Sequence, residues 1–69
     1  MARVAKIIEL VCSSPKSWED AVRNGIAEAS KTIRGIHGVD VQDWTASVDG
    51  DQIREYKVNL KIAFGIESE

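Results

Sequence analysis

Few residues in this chain carry chemistry, and most of those gather in two stretches. Residues 38–45 read Gly-Val-Asp-Val-Gln-Asp-Trp-Thr, and residues 54–64 read Arg-Glu-Tyr-Lys-Val-Asn-Leu-Lys-Ile-Ala-Phe. In the second stretch Tyr56, Val58, Leu60, Ile62 and Phe64 share one parity, while Glu55, Lys57, Asn59, Lys61 and Ala63 share the other. That is a strand with one apolar and one polar face. If Val48 pairs with Ile53 across a hairpin, Trp44 faces Lys57, Gln42 faces Asn59 and Asp40 faces Lys61, all on the side away from the core. Val39, Val41 and Thr45 then join Tyr56, Leu60 and Ile62 on the core side, and Asp43 opposite Val58 is the one misfit. An indole ringed by amide, ammonium and carboxylate groups is a platform for a flat ligand. The same indole could instead pack at a subunit interface, its ring covered by the Lys57 stem with about 0.5–1 kcal/mol of cation–π attraction. Both readings need a neighbouring chain.

The other reactive side chains are isolated. His37, between Ile36 and Gly38, has no Ser, Cys or carboxylate spaced to partner it, and reads as a loop residue. Cys12, at a strand end, reads as a small buried hydrophobe rather than a nucleophile. Glu19, Asp20 and Glu28 could hold a cation only together with a symmetric neighbour; as a solvated helix face they need no ligand. No glycine-rich phosphate loop or metal-ligand spacing occurs. The expectation is a protein that is not an enzyme.

These residues must be positioned by a very small fold. Sixty-nine residues make at most one domain, spanning 1–69. Chains of this size generally need disulfides, a structural metal or association with copies of themselves. One Cys and one His supply neither of the first two, so self-association is expected. Nine basic and eleven acidic residues are interspersed and sum to a net charge of −2, which gives no footprint for nucleic acid or an anionic membrane. No apolar run is long enough to span a bilayer, and the opening Met-Ala-Arg-Val-Ala-Lys lacks a signal-peptide core. With an unpaired Cys, a cytoplasmic location is expected.

Four elements are expected. A β-branched first strand covers about 3–12 and is broken by Ser13-Ser14-Pro15. A helix over about 17–34 is capped by Ser17, with Glu19 and Asp20 at the positive end of its dipole and Gly35 as a stop. Trp18, Val22, Gly25, Ile26, Ala29 and Ile33 make its apolar stripe. Gly25 on that stripe marks either close backbone approach or a tolerated loss of about 1 kcal/mol. Strands over about 38–48 and 53–65 flank the turn Asp49-Gly50-Asp51-Gln52. The fold class is α+β: a β-α-β-β protomer with a three-stranded antiparallel sheet on one helix, its far face and edges left for assembly.

Three segments carry a family resemblance: Ser-Ser-Pro-Lys-Ser-Trp-Glu-Asp-Ala after the first strand, Ala-Ser-Lys-Thr-Ile-Arg in the helix, and the ending Tyr-Lys-Val-Asn-Leu-Lys-Ile-Ala-Phe. Over about residues 4–66 the chain resembles dodecins. The resemblance implies a hollow homododecamer that stores or sequesters a small ligand, riboflavin or FMN in flavin-binding members and a divalent cation in some others. Flavin-binding members stack the flavin on a Trp near the start of the second strand and hold its edge with a Gln after the aromatic of the last strand. Matching Tyr56 to that aromatic puts Lys57 at the Gln position and Gly38 at the Trp position, with Trp44 six residues, or about 20 Å of strand, further on. Lys57 donates hydrogen bonds but cannot accept them, so it reproduces only half of an amide contact. The candidate ligand-binding residues are therefore Trp44, Lys57, Gly38, Gln42 and Asn59.

Overall fold

The computed structural model describes residues 4–66. Strand β1 (Val4–Ser14) leads into helix α1 (Trp18–Ala29), which is followed by the hairpin of β2 (Ile36–Asp49) and β3 (Gln52–Ile66). The strands form one antiparallel sheet in the order β1-β3-β2, so the last strand lies in the middle and the expected β-α-β-β architecture is present. No helix among the described residues is long and apolar enough to cross a membrane.

The alternation read in β3 is what builds the core. Val58, Leu60 and Ile62 are buried beneath α1, together with Cys12, Ala21 and Ala29. Ile8, Leu10, Trp18, Val22, Ile33, Ile36 and Val41 pack around them. The helix meets the sheet through small residues, Ala21, Gly25 and Ala29, which lets its backbone come close. A Cβ on Gly25 would collide with Cys12 Sγ and lie 3.0 Å from Leu60 Cδ1. Gly25 therefore marks close approach. Ala21, fully buried one turn before it, completes the stripe and was not among the expected contacts.

Ser17 caps the helix as expected, its hydroxyl accepting from the Asp20 amide at 3.0 Å. Asp20 in turn accepts at 2.6 Å from the hydroxyl of buried Ser14, which itself accepts from the Lys16 amide at 2.9 Å. This chain of bonds ties the end of β1 to the start of α1. It also explains why β1 continues to Ser14, past the expected limit at 12, where Ser13 and Ser14 still pair with Lys57 and Tyr56.

The helix stops at Ala29 rather than at 34. Ser30 and Thr32 are weak helix formers, and the chain tightens into a turn in which the amides of Lys31 and Thr32 bond to Glu28 and Ala29. Ile33 still reaches the core, and Gly35, at φ +77°, reverses the chain into β2.

At the other end the β2–β3 hairpin runs past the helix. The described residues extend 55 × 20 × 13 Å. Val48 and Ile53, paired near the hairpin tip, are 66% and 46% exposed.

Candidate functional site

Three aromatic side chains meet where the hairpin leaves the helix. Trp18, in the first turn of α1, packs edge-on against Tyr56 with ring centroids 4.8 Å apart and lies 5.7 Å from Trp44 at a 52° tilt. Its indole N–H donates to the Thr45 carbonyl at 2.8 Å, which anchors the helix start to β2. Trp18 is thus fixed on both sides and braces Trp44, which is 61% exposed.

This arrangement corrects the expected register. Val48 does pair with Ile53, and Asp40 does pair with Lys61. Between Ser47 and Val48, however, where Arg54 is the extra residue of β3, the register leaves the expected one, and it returns between Val41 and Asp43, where Gln42 bulges from β2. The bulge at Gln42 reverses the parity of the β2 residues that follow. Trp44 stands opposite Val58, not Lys57, and so lies on the helix side of the sheet. Thr45, expected on the core side, pairs with Lys57 on the far face; Asp43, the misfit, pairs with Asn59. Gln42 does not face Asn59. The physical reason is visible in both directions. Without these two bulges Asp43 would sit opposite buried Val58, a charge in an apolar core, and the indole would lose its packing against Trp18.

The sequence carried a signal for this. Apolar residues of β2 fall at Val39 and Val41, then at Trp44, Ala46 and Val48, so the alternation changes phase between 41 and 44. A phase change inside a strand is the mark of a bulge. A third shift, at His37, sets that residue in the strand rather than in a loop.

The far face of the sheet gathers the polar candidates. Gly38, opposite Ala63, and Asn59 and Lys57 of β3 lie there, as do Asp40 and Asp43. The Asn59 amide donates to Asp43 Oδ2 at 3.2 Å, and the Gln42 amide donates to Asp40 Oδ2 at 2.7 Å. Lys61 lies in register between Glu9 of β1 and Asp40 of β2. On the β1 side the same face exposes Ile7 and Val11. A single copy therefore separates its exposed indole from Lys57, Asn59 and Gly38 by the thickness of the sheet. Among the described residues, no three His, Cys, Asp or Glu side chains of one copy are placed to hold a metal ion.

Two buried nucleophilic side chains lie near the start of α1, Cys12 and Ser14. Burial raises the Cys12 thiol above its ordinary range by desolvation. The Ser14 hydroxyl is engaged by Asp20.

A single helix on a three-stranded antiparallel sheet, with an exposed aromatic and unprotected edges, defines a class of small assembling β-α-β-β protein. The dodecin family model matches residues 4–67, and the chain belongs to the dodecin family. It is 31% identical over 67 residues, 97% of both chains, to a dodecin of Thermus thermophilus. The structure of a tryptophan-to-phenylalanine variant of the T. thermophilus dodecin superposes with a TM-score of 0.92 at 30% identity, covering 97% of this chain and all of that one. A calcium dodecin of Mycobacterium tuberculosis is 28% identical over 61 residues, 88% of this chain and 86% of the relative. Its structure, described as having a novel calcium-binding site, gives a TM-score of 0.80 at 28% identity over 93% of this chain and 91% of that one.

Proposed function

We propose that this protein is a non-enzymatic, cytoplasmic homo-oligomer, assembled as a hollow dodecamer, that binds and stores a small ligand between its subunits. Riboflavin or FMN is the first candidate. The observation that carries this reading is Trp44: an indole held by Trp18 on one side and open over most of its surface, in a chain of the dodecin family. Leaving such a surface in water is unfavourable, and stacking a flat aromatic ligand on it is a favourable use of its geometry. Lys57, Asn59 and Gly38 belong to the opposite face, where the Gln42 amide is tied to Asp40, so in this reading they join Trp44 around a ligand when another copy presents them.

The test is quenching of flavin fluorescence. Stacking on the indole should strongly quench riboflavin or FMN added to the purified protein, and Trp44→Ala should restore the emission. Unchanged emission at micromolar protein removes the flavin reading. Size-exclusion chromatography tests the assembly: the expected particle has about twelve times the 7.6 kDa mass of the chain, and a stable monomer refutes the proposal.

A second reading is a structural assembly without flavin that holds a divalent cation on a symmetry axis. It is favoured by the calcium dodecin relative and by Asp40 and Asp43 on the polar sheet face. Calcium titration by calorimetry distinguishes it, since heat with calcium and none with flavin would select it.

A further inference from the structure

The chain holds two dipeptides in which an Asn or Asp side chain precedes a glycine amide, Asn24-Gly25 and Asp49-Gly50. In each, the glycine nitrogen can attack the side-chain Cγ and close a five-membered succinimide, a reaction that glycine favours because it has no side chain to crowd the amide. The fold treats the two in opposite ways. Asn24-Gly25 lies inside α1, where helical bonding commits the Gly25 amide to a carbonyl one turn back. The Asn24 side-chain amide donates to the Ser13 carbonyl at 3.4 Å and to Asp20 Oδ2 at 3.5 Å, and Gly25 is buried against Cys12. Asp49-Gly50 lies at the β2–β3 tip, with both residues exposed. Gly50 is the first of the two residues between the closing pair Asp49 and Gln52, at φ +67°, and nothing lies within 4 Å of where its Cβ would be. Among the described residues, no backbone carbonyl accepts from the Gly50 amide. Asp51, the other turn carboxylate, is followed by Gln52, whose side chain crowds the attacking nitrogen.

We infer that Asp49 is a site of spontaneous conversion to isoaspartate, and that the fold confines this chemistry to the hairpin tip. The Gly50 nitrogen attacks Cγ of the protonated Asp49 carboxyl group. The N–Cγ bond forms, the Cγ–O bond breaks, and the hydroxyl leaves with the amide proton as water. Water then adds to one of the two succinimide carbonyls. Addition at Cγ restores aspartate. Addition at the main-chain carbonyl leaves a chain that runs through Cβ and Cγ, with a free α-carboxylate and the same net charge. The product has one more carbon in the main chain between 49 and 50. In a turn of only two residues the closing Asp49–Gln52 pair then no longer fits, and the Val48–Ile53 pair beside it loses its support. The tip thereby carries a chemical record of the age of each chain. Neither a bound ligand nor a neighbouring copy enters this chemistry.

Ageing the purified protein in warm, slightly acidic buffer tests this. Electron-transfer dissociation of the tryptic peptide 35–54, which distinguishes the two linkages, should show isoaspartate accumulating at 49 and not at 51. Peptides spanning 24 should stay unchanged. Isoaspartyl methyltransferase esterifies the new α-carboxylate from S-adenosylmethionine, and methyl incorporation should rise in step. Asp49→Glu keeps the charge but would need a six-membered ring, and should lose the signal. Asp49→Asn reaches the same succinimide by losing ammonia, and should show isoaspartate sooner than the wild type. Ageing in urea releases Asn24-Gly25 from the helix, so the unfolded chain should be modified at 24 as well. Folded wild-type protein that keeps aspartate at 49 overturns the inference, as does isoaspartate that forms first at 24 or 51. An equal rate at 24 with and without urea overturns the protection by α1.

Discussion

Gly25→Ala probes the closest contact in the fold, and its sign is not what helix propensity alone gives. Alanine favours a helix interior over glycine by about 0.8–1 kcal/mol. Here the added Cβ would overlap Cys12 Sγ and press on Leu60 Cδ1 at 3.0 Å. Both neighbours belong to the buried core, where close packing leaves little room to yield. Overpacking of this kind costs about 1–3 kcal/mol. The expected net effect is a loss of up to about 2 kcal/mol, or up to roughly 8–16 °C in Tm for a domain of this size. Urea unfolding followed by circular dichroism should show it, at one fixed protein concentration because assembly makes the midpoint concentration-dependent. Cys12→Ala removes the colliding sulfur, so in that background Gly25→Ala should lose most of its cost, a coupling of about 1–2 kcal/mol. A gain in stability from Gly25→Ala alone would refute the close-approach argument. An equal cost in both backgrounds would refute Cys12 as its cause.

Three further outcomes follow from the buried polar groups. Ser14→Ala leaves the Lys16 amide without its acceptor and removes the shorter of the two bonds donated to Asp20 Oδ2, and should cost about 1–3 kcal/mol in the same denaturation assay. Ser17→Ala removes the helix cap and should cost about 0.5–2 kcal/mol, with a smaller effect on β1 than Ser14→Ala as read by hydrogen exchange. The Cys12 thiol, raised above its ordinary range by burial, should react with Ellman's reagent only after unfolding. Because the folded state holds this proton more tightly than the unfolded chain, its contribution to stability is fully present below the ordinary thiol pKa. It declines as pH rises from there through the higher folded value, and Cys12→Ala should flatten this part of the pH profile.

The fold was legible because its strongest signals are local and mutually consistent. The β3 alternation from Tyr56 to Phe64 needed one covering element, and the stripe of α1 supplied it. Pro15, the Ser17 cap and Gly50 at φ +67° mark boundaries through backbone chemistry that is independent of the rest of the molecule. The end of α1 was harder to read because Ile33 keeps helical spacing from Ala29 although the intervening residues form a turn. Spacing of side chains reports which face they share. It does not report which carbonyl each amide chooses.

The candidate site depended on register, and two inserted residues control it, Gln42 in β2 and Arg54 in β3. Reading β2 as an unbroken alternation put Trp44 beside Lys57 and made one mixed aromatic and polar site within a single copy. Gln42 separates these groups: it turns Asp43 outward to Asn59 and turns Trp44 inward to Trp18. The bulge therefore gives the protomer a polar sheet face and an aromatic edge that cannot meet in one chain. A ligand that needs both must draw on more than one copy, so binding and assembly are coupled in this reading: the ligand should stabilise the particle against dissociation, and dissociation should release it. The small size that denies the chain a sufficient core of its own thus also makes the contact between copies the place where its exposed chemistry can be combined.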